Sequence, residues 1–392
     1  MMTQKPFSIL QPRDLSFGRG CVDRAVPKVM ALGRRIMLVR GRSAPWCDVF
    51  REDLQKAGAV VTELFCTREP YLSDVTDAAR IARVARCDVL VAVGGGSVID
   101  LAKAVAALVP AQHPASEYVT GGRALDAAPL PFVAIPTTAG TGAEVTRNAV
   151  ISVPETRKKI SLRDTSMIAD VALVDPALTD GTPAGITFGS GLDALVQVIE
   201  PYLSSRANSY TDALCRHAIP LGTRALARLA QGECADARDD LALVSLFGGL
   251  ALTNAGLGAV HGLAGVIGGR FPDAPHGLVC GRLLCATLQV NMEQRQVEGL
   301  AMDRHLEVLS WLSGMATDAT GDEVAGIAGL LNDWGVPKLP LLTGLKGADL
   351  EDIAADALAS SSMAANGTPL RAQDLERIVS LSAGYQEHGH SG

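Results

Sequence analysis

The feature that most constrains this chain is a glycine turn set directly behind a buried-strand pattern. Asp88-Val89-Leu90-Val91-Ala92-Val93 runs into Gly94-Gly95-Gly96-Ser97, and Val98-Ile99-Asp100 then opens a helical stretch to Leu108. An uninterrupted apolar, β-branched run suits a strand covered on both faces, as in a parallel sheet with crossover helices. Consecutive glycines let backbone N–H groups approach a phosphate without Cβ clashes, and the helix N-terminus adds its partial positive charge. The segment is a pyrophosphate cradle in outline, set against the plainer reading of a tight connecting turn.

The surrounding pattern repeats the unit. Residues 36–39, 60–65 and 132–135 read as further strands, and residues 46–57, 75–86 and 98–108 as the helices between them. Strands alternating with helical segments predict βαβ units and a parallel sheet. From about residue 184 the pattern changes to Ala- and Leu-rich stretches with helical spacing, at 192–202, 210–230, 235–267 and 278–291. Pro183 and the stretch Thr187-Phe188-Gly189-Ser190-Gly191 mark the change. The chain has 392 residues, more than the roughly 250–300 that one core serves. The expectation is therefore an α/β dinucleotide-binding domain with an open parallel sheet over residues 1–182 and an all-α domain over 183–392.

Charge narrows the function classes. Lys and Arg number 35 against 42 Asp and Glu, for a net charge of −7, which argues against affinity for a phosphate backbone. No apolar run approaches the 18 or so residues of a membrane span. The N-terminal residues show no leader pattern, so a cytoplasmic address is expected. The eight cysteines form no CxxC and are expected to be reduced, mostly buried thiols. His388 and His390, in a polar tail, read as solvated.

A second small-residue loop, Pro136-Thr137-Thr138-Ala139-Gly140-Thr141-Gly142, follows the strand at 132–135. Hydroxyls and unobstructed amides at the carboxyl end of a parallel strand suit a nucleotide's phosphates, sugar or nicotinamide. At the end of the first long strand, Val39-Arg40-Gly41-Arg42-Ser43 offers two guanidinium groups and no carboxylate for a ribose 2′-OH. Arginine pairs with a 2′-phosphate, so NADP is favoured over NAD at this edge. In the helical half, Asp193 and Gln197 lie four residues apart on one helix face, and His261 and His276 sit in later helical segments. One carboxylate, one amide oxygen and two imidazoles form a donor set for a divalent ion, although a histidine in an apolar helix also serves as a core residue.

These motifs, in this order, are similar to those of the iron-containing (group III) alcohol dehydrogenases. The resemblance runs through 94–103, 136–146, 191–202 and 256–277 and so covers nearly the whole chain. It implies a dehydroquinate synthase-like fold, with a metal and nicotinamide site in the cleft between two domains. By that resemblance Asp193, His261 and His276 fall on metal-ligand positions, and Gln197 stands where typical members have a histidine ligand. Gly265 occupies a place where many members carry a further, non-ligating histidine. Gly41, Arg42, Ser43, Gly94, Gly95, Gly96, Ser97, Asp100, Thr137, Thr138, Thr141 and Val150 become the cofactor-binding set, with Asp100, Lys103 and Lys159 on the catalytic side. Lys159 and Arg163, in a charge run, are assigned to the substrate side.

A Gln amide oxygen is a neutral, weaker donor than imidazole, so an Asp/Gln/His/His set is expected to hold its ion, Fe(II) or Zn(II), with less commitment to one metal. The implied activity is hydride transfer between a nicotinamide and an alcohol, aldehyde or ketone whose oxygen a metal polarises. The resemblance also implies a homodimer or larger homo-oligomer. Two rivals remain at this point: a metal-independent reductase of the maleylacetate type, and a lyase like dehydroquinate synthase.

Overall fold

The protein is described by a computed structural model covering residues 6–42, 45–313 and 323–387. Ser43, His388 and His390 lie outside the described residues. One compact unit spans Leu10–Asp180; the other runs on from Gly181 and includes the described residues ahead of Leu10.

The first unit is built on a six-stranded parallel sheet. Its strands are β1 (Asp14–Phe17), β2 (Arg35–Arg40), β3 (Val60–Phe65), β4 (Val89–Gly94), β5 (Phe132–Pro136) and β8 (Val171–Val174), in the order β1-β8-β5-β4-β2-β3. The helices α1 (Ala25–Met30), α2 (Pro45–Lys56), α3 (Leu72–Ala85), α4 (Gly96–Leu108) and α5 (Ala115–Val119) complete it. Along β4 the faces alternate: Leu90 and Ala92 pack among residues of α3 and α4, while Val89, Val91 and Val93 pack among residues of α1 and α2. Both faces are covered, which is why the strand reads as one continuous apolar run.

Four strands escape the expectation. β1 and β8 are only four residues each, too short for a period to show. β6 (Asn148–Val153) and β7 (Lys158–Arg163) form a separate antiparallel pair. β6 alternates between buried and half-buried positions, the period-2 signature of a strand with one covered face. The Lys158 to Arg163 charge run is therefore a strand.

The second unit is helical: α6 (Ala184–Leu203), α7 (Ser209–Gln231), α8 (Ala235–Ala255), α9 (Ala259–Arg270), α10 (His276–Val297) and α11 (Asp303–Ser313), followed by α12 to α15 within residues 323–387. Two expectations are corrected. The stretch Thr187 to Gly191, expected to mark the change of pattern, lies inside α6, whose residues 191–202 are all buried. The stretch 235–267 is two helices bent by 100° at a short break, where Gly256 takes a left-handed φ of 77° that ends α8. Among the described residues no single helix is long and apolar enough to cross a membrane.

His305 in α11 makes the stability of this unit depend on pH. Burial, with help from Arg295, holds its imidazole down to about 4, and Nδ1 is buried without a partner. The unfolded chain binds a proton at about pH 6.5 that the folded chain refuses until about pH 4, so stability falls as pH drops through that window. At pH 5 the expected loss is about 2 kcal/mol. Urea unfolding of His305→Leu should show a correspondingly smaller drop in midpoint between pH 7 and pH 5 than the parent.

Candidate functional site

The strand order places a switch point at β2: the chain leaves β2 for β3 on one side and returns with β4 on the other. Ligands in open parallel sheets sit at the carboxyl ends of strands flanking such a point. There the Gly41 N–H donates to the Val93 carbonyl at 3.3 Å, and the Thr137 N–H to the Gly94 carbonyl at 3.0 Å. Gly41 and Arg42, Gly94 to Ser97 and the Thr137 to Thr141 loop thus form one rim. α4 opens behind Gly95 with no side-chain cap, so no capping side chain covers the amides of its first turn at the rim. A Cβ on Gly95 would lie 3.1 Å from Thr138 Oγ1, and one on Gly96 only 2.7 Å from Thr141 Oγ1. These residues fit a dinucleotide's pyrophosphate.

The side chains behind the rim hold it in shape. Lys103 is 1% exposed, and its ammonium donates to the carbonyls of Ala143, Thr146 and Asn148 and to Thr146 Oγ1, at 2.6 to 3.0 Å. Burial, only partly offset by Asp100 and Glu144, lowers its pKa to about 8. Asp100 accepts the Val150 N–H at 3.0 Å, and burial raises its carboxyl to about 6 against the opposing pull of Lys103. Lys159 on β7 is ion-paired with Glu69 at 2.6 Å. Each of the three residues expected on the catalytic side is thus engaged in tying segments of this unit together.

The cofactor-selecting edge differs from its expected form. Arg40 is buried and donates to Asp48 at 2.7 Å and to Glu63 at 3.2 Å. Two carboxylates therefore stand beside the end of β2, and they occupy the Arg40 guanidinium. Arg42 remains exposed on the rim.

In the helical unit, α6 presents Asp193, Gln197 and Glu200 at i, i+4 and i+7. α10 approaches α6 so closely that a Cβ on Gly277 would fall 1.8 Å from the Gly189 carbonyl oxygen and 3.0 Å from Asp193 Cβ. That approach sets His276, the first residue of α10, beside Asp193. His261 comes from the first turn of α9. Its Nε2 lies 3.1 Å from Asp193 Oδ1, and its Nδ1 lies 2.6 Å from Glu200 Oε2. Glu200 Oε1 also accepts the Val260 N–H at 2.7 Å, placing a carboxylate at the N-terminus of α9. His276 Nε2 is 3.9 Å from Asp193 Oδ1 and 3.6 Å from Cys280 Sγ, while its Nδ1 is buried without a partner.

Donor atoms of Asp193, His261, His276 and Cys280 all lie within 4.8 Å of one another. Burial works against charge on every member, yet their mutual pairing prevails. Asp193 and Cys280 are held below their ordinary values and the two imidazoles above theirs, His261 well above. A carboxylate, two imidazoles and a thiol converging on one point fit a divalent ion. Gln197 is hydrogen-bonded to Asp193; because a carboxylate only accepts, the Gln197 amide nitrogen is the donor.

Comparison with known proteins identifies the family. A family model described as iron-containing alcohol dehydrogenase matches residues 12–176, and one described as the C-terminal part of the Fe-containing alcohol dehydrogenase family matches residues 187–383. The chain belongs to the iron-containing alcohol dehydrogenase family. It is 33% identical over 391 residues to a 1,3-propanediol dehydrogenase of Klebsiella pneumoniae, covering 96% of this chain and 99% of that protein. It is 32% identical to a lactaldehyde reductase of Escherichia coli K12, covering 93% and 96%. The crystal structure of a 1,3-propanediol oxidoreductase superposes with a TM-score of 0.85 at 29% identity, over 96% of this chain and all of the other. The protein is an oxidoreductase acting on CH–OH groups, a metal-dependent alcohol dehydrogenase or aldehyde reductase with the dehydroquinate synthase-like fold, and its family implies a metal and a nicotinamide dinucleotide.

Two residues beside the candidate donors of this alcohol dehydrogenase, Glu200 and Cys280, are absent from the expected set. Glu200 was readable as the continuation of the Asp193 and Gln197 face. Cys280 was readable as the residue one turn beyond His276. Neither carries a motif signal by itself, because a glutamate on an apolar helix and one cysteine among eight are both unremarkable until their neighbours are known. On the dinucleotide side, Gly96→Ala forces Thr141 aside and narrows the cradle. NADH affinity should fall about tenfold, roughly 1.4 kcal/mol, in a fluorescence titration.

Proposed function

We propose that Asp193, His261 and His276 hold the catalytic divalent ion of this enzyme, and that it interconverts small alcohols or diols with the corresponding aldehydes or ketones. The observation that carries the reading is the Glu200–His261–Asp193 chain, in which a buried carboxylate fixes the imidazole behind the ion site. The named activities of the relatives, on 1,3-propanediol and lactaldehyde, support short, polar substrates.

When bound, a divalent ion supplies Lewis acidity to the substrate oxygen, and the nicotinamide accepts or donates the hydride. The chain's own residues arrange the rest. Amides of Gly95, Gly96 and Ser97 bind the pyrophosphate, and the hydroxyls of Thr137, Thr138 and Thr141 contact the nucleotide beside it. Lys103 and Asp100 hold the 143–150 segment against α4, as positioning residues. Glu200 keeps a proton on His261 Nδ1, so that Nε2, on the Asp193 side, is the nitrogen whose lone pair an ion there would take in place of its proton. Gln197, through its bond to Asp193, orients that carboxylate. Gly265 has open space where its Cβ would point and carries no group to take the substrate's hydroxyl proton, which passes to water.

With Arg40 occupied, selection of a 2′-phosphate falls to Arg42. The test combines metal and cofactor. Protein purified without chelator should contain Fe(II) or Zn(II), lose turnover in EDTA, and regain it on adding either ion. Full activity in ion-free protein would favour the metal-independent route. Michaelis constants with a short aldehyde should show Arg42→Ala weakening NADPH more than NADH; equal changes in both would remove Arg42 from selection.

A further inference from the structure

We propose that Cys280 is a fourth metal ligand, its thiolate replacing from α10 the imidazole that position 197 on α6 does not supply. The proposal rests on the ion site described above and adds a donor to it.

Three observations carry it. Position 197 is one turn beyond Asp193 on α6, and position 280 is one turn beyond His276 on α10, so each follows a ligand on the same helix face. Gln197 donates its amide to Asp193, which turns that side chain's hydrogen-bonding toward the carboxylate. Cys280 Sγ instead lies within the donor cluster, 3.6 Å from His276 Nε2. With metal–sulfur and metal–nitrogen bonds of about 2.3 and 2.0–2.1 Å at a tetrahedral angle, S and N donors sit roughly 3.5 Å apart, so the existing spacing suits a shared ion. The remaining cysteines are elsewhere: Cys285, the other on α10, belongs to no such cluster among the described residues.

The chemistry differs from that of an all-imidazole site. Coordination releases the thiol proton to solvent and leaves carboxylate plus thiolate, two negative charges against a divalent cation. A soft thiolate biases the set toward Zn(II). It also makes the ion a weaker Lewis acid than one ligated by Asp and neutral imidazoles alone.

Cobalt(II) substitution reads the ligand directly. The Co(II)-loaded protein is expected to show visible d–d bands together with an intense thiolate-to-cobalt charge-transfer band in the near ultraviolet. Cys280→Ser and Cys280→Ala should keep the d–d bands and lose the charge-transfer band, whereas Cys285→Ser keeps both. Chelator competition should show Zn(II) affinity falling by more than about 100-fold in Cys280→Ala, beyond the roughly 10- to 100-fold that the loss of an outer partner causes. Adding Gln197→His to Cys280→Ala should recover most of that loss. Circular dichroism of the ion-free variants establishes that they are folded. Co(II) bound with d–d bands and no charge-transfer band in the parent would overturn the thiolate ligand while leaving the Asp/His/His site intact. Failure of the parent to bind Co(II) or Zn(II) at all would overturn both.

Discussion

Asp193→Ala is expected to release the metal and to lower kcat/KM by about 1,000-fold or more. The magnitude follows from Lewis-acid stabilisation worth several kcal/mol, each factor of ten corresponding to about 1.4 kcal/mol. Asp193 is the hub of the cluster: His261 Nε2 at 3.1 Å, His276 Nε2 at 3.9 Å and the Gln197 amide all converge on its carboxylate. It is also buried, so its removal leaves His261 Nε2 and the Gln197 amide without that acceptor. Metal analysis beside steady-state kinetics checks the prediction. Retained metal with lost turnover would move Asp193 from ligand to another role.

Glu200→Gln is the subtler substitution and the more diagnostic. The Gln carbonyl can keep the Val260 N–H bond, which turns its NH2 toward His261 Nδ1. That nitrogen must then accept, the ring proton is fixed on Nε2, and the lone pair that would be offered to the ion is lost. Zn(II) affinity is expected to fall about 10- to 100-fold, the usual effect of removing a ligand's outer partner. Saturating Zn(II) should restore much of the turnover, a recovery that damage to packing alone would not allow. A variant with unchanged affinity would show that Glu200 serves only to cap α9.

The order of elements in the first unit was legible because β2, β4 and β5 are buried on both faces and helices intervene between strands. β1 and β8 were not, since four residues carry no period. β7 was masked by its lysines and arginine, and the alternation of β6 is plain only in its burial. Lys103 and Lys159 illustrate a sharper limit. A lysine near a glycine turn and a lysine in a charge run read as chemistry or as solvated surface, but the fold places both against acceptors: four oxygens around Lys103, and Glu69 beside Lys159. Arg40 is a similar case, since the carboxylates that occupy it come from α2 and β3, eight and twenty-three residues away.

The class of architecture, the glycine turn with its neighbouring threonine loop, and Asp193, His261 and His276 as candidate donors are legible in the residues alone, because they follow from local periodicity and from ordered motifs. Which further side chains lie beside them depends on how the helices pack. Glu200 reaches His261 across the α6–α9 contact, and Cys280 reaches the donor cluster because Gly277 lets α10 press onto α6. Those encounters depend on where helices cross, and a crossing is set by packing of residues far apart in the chain.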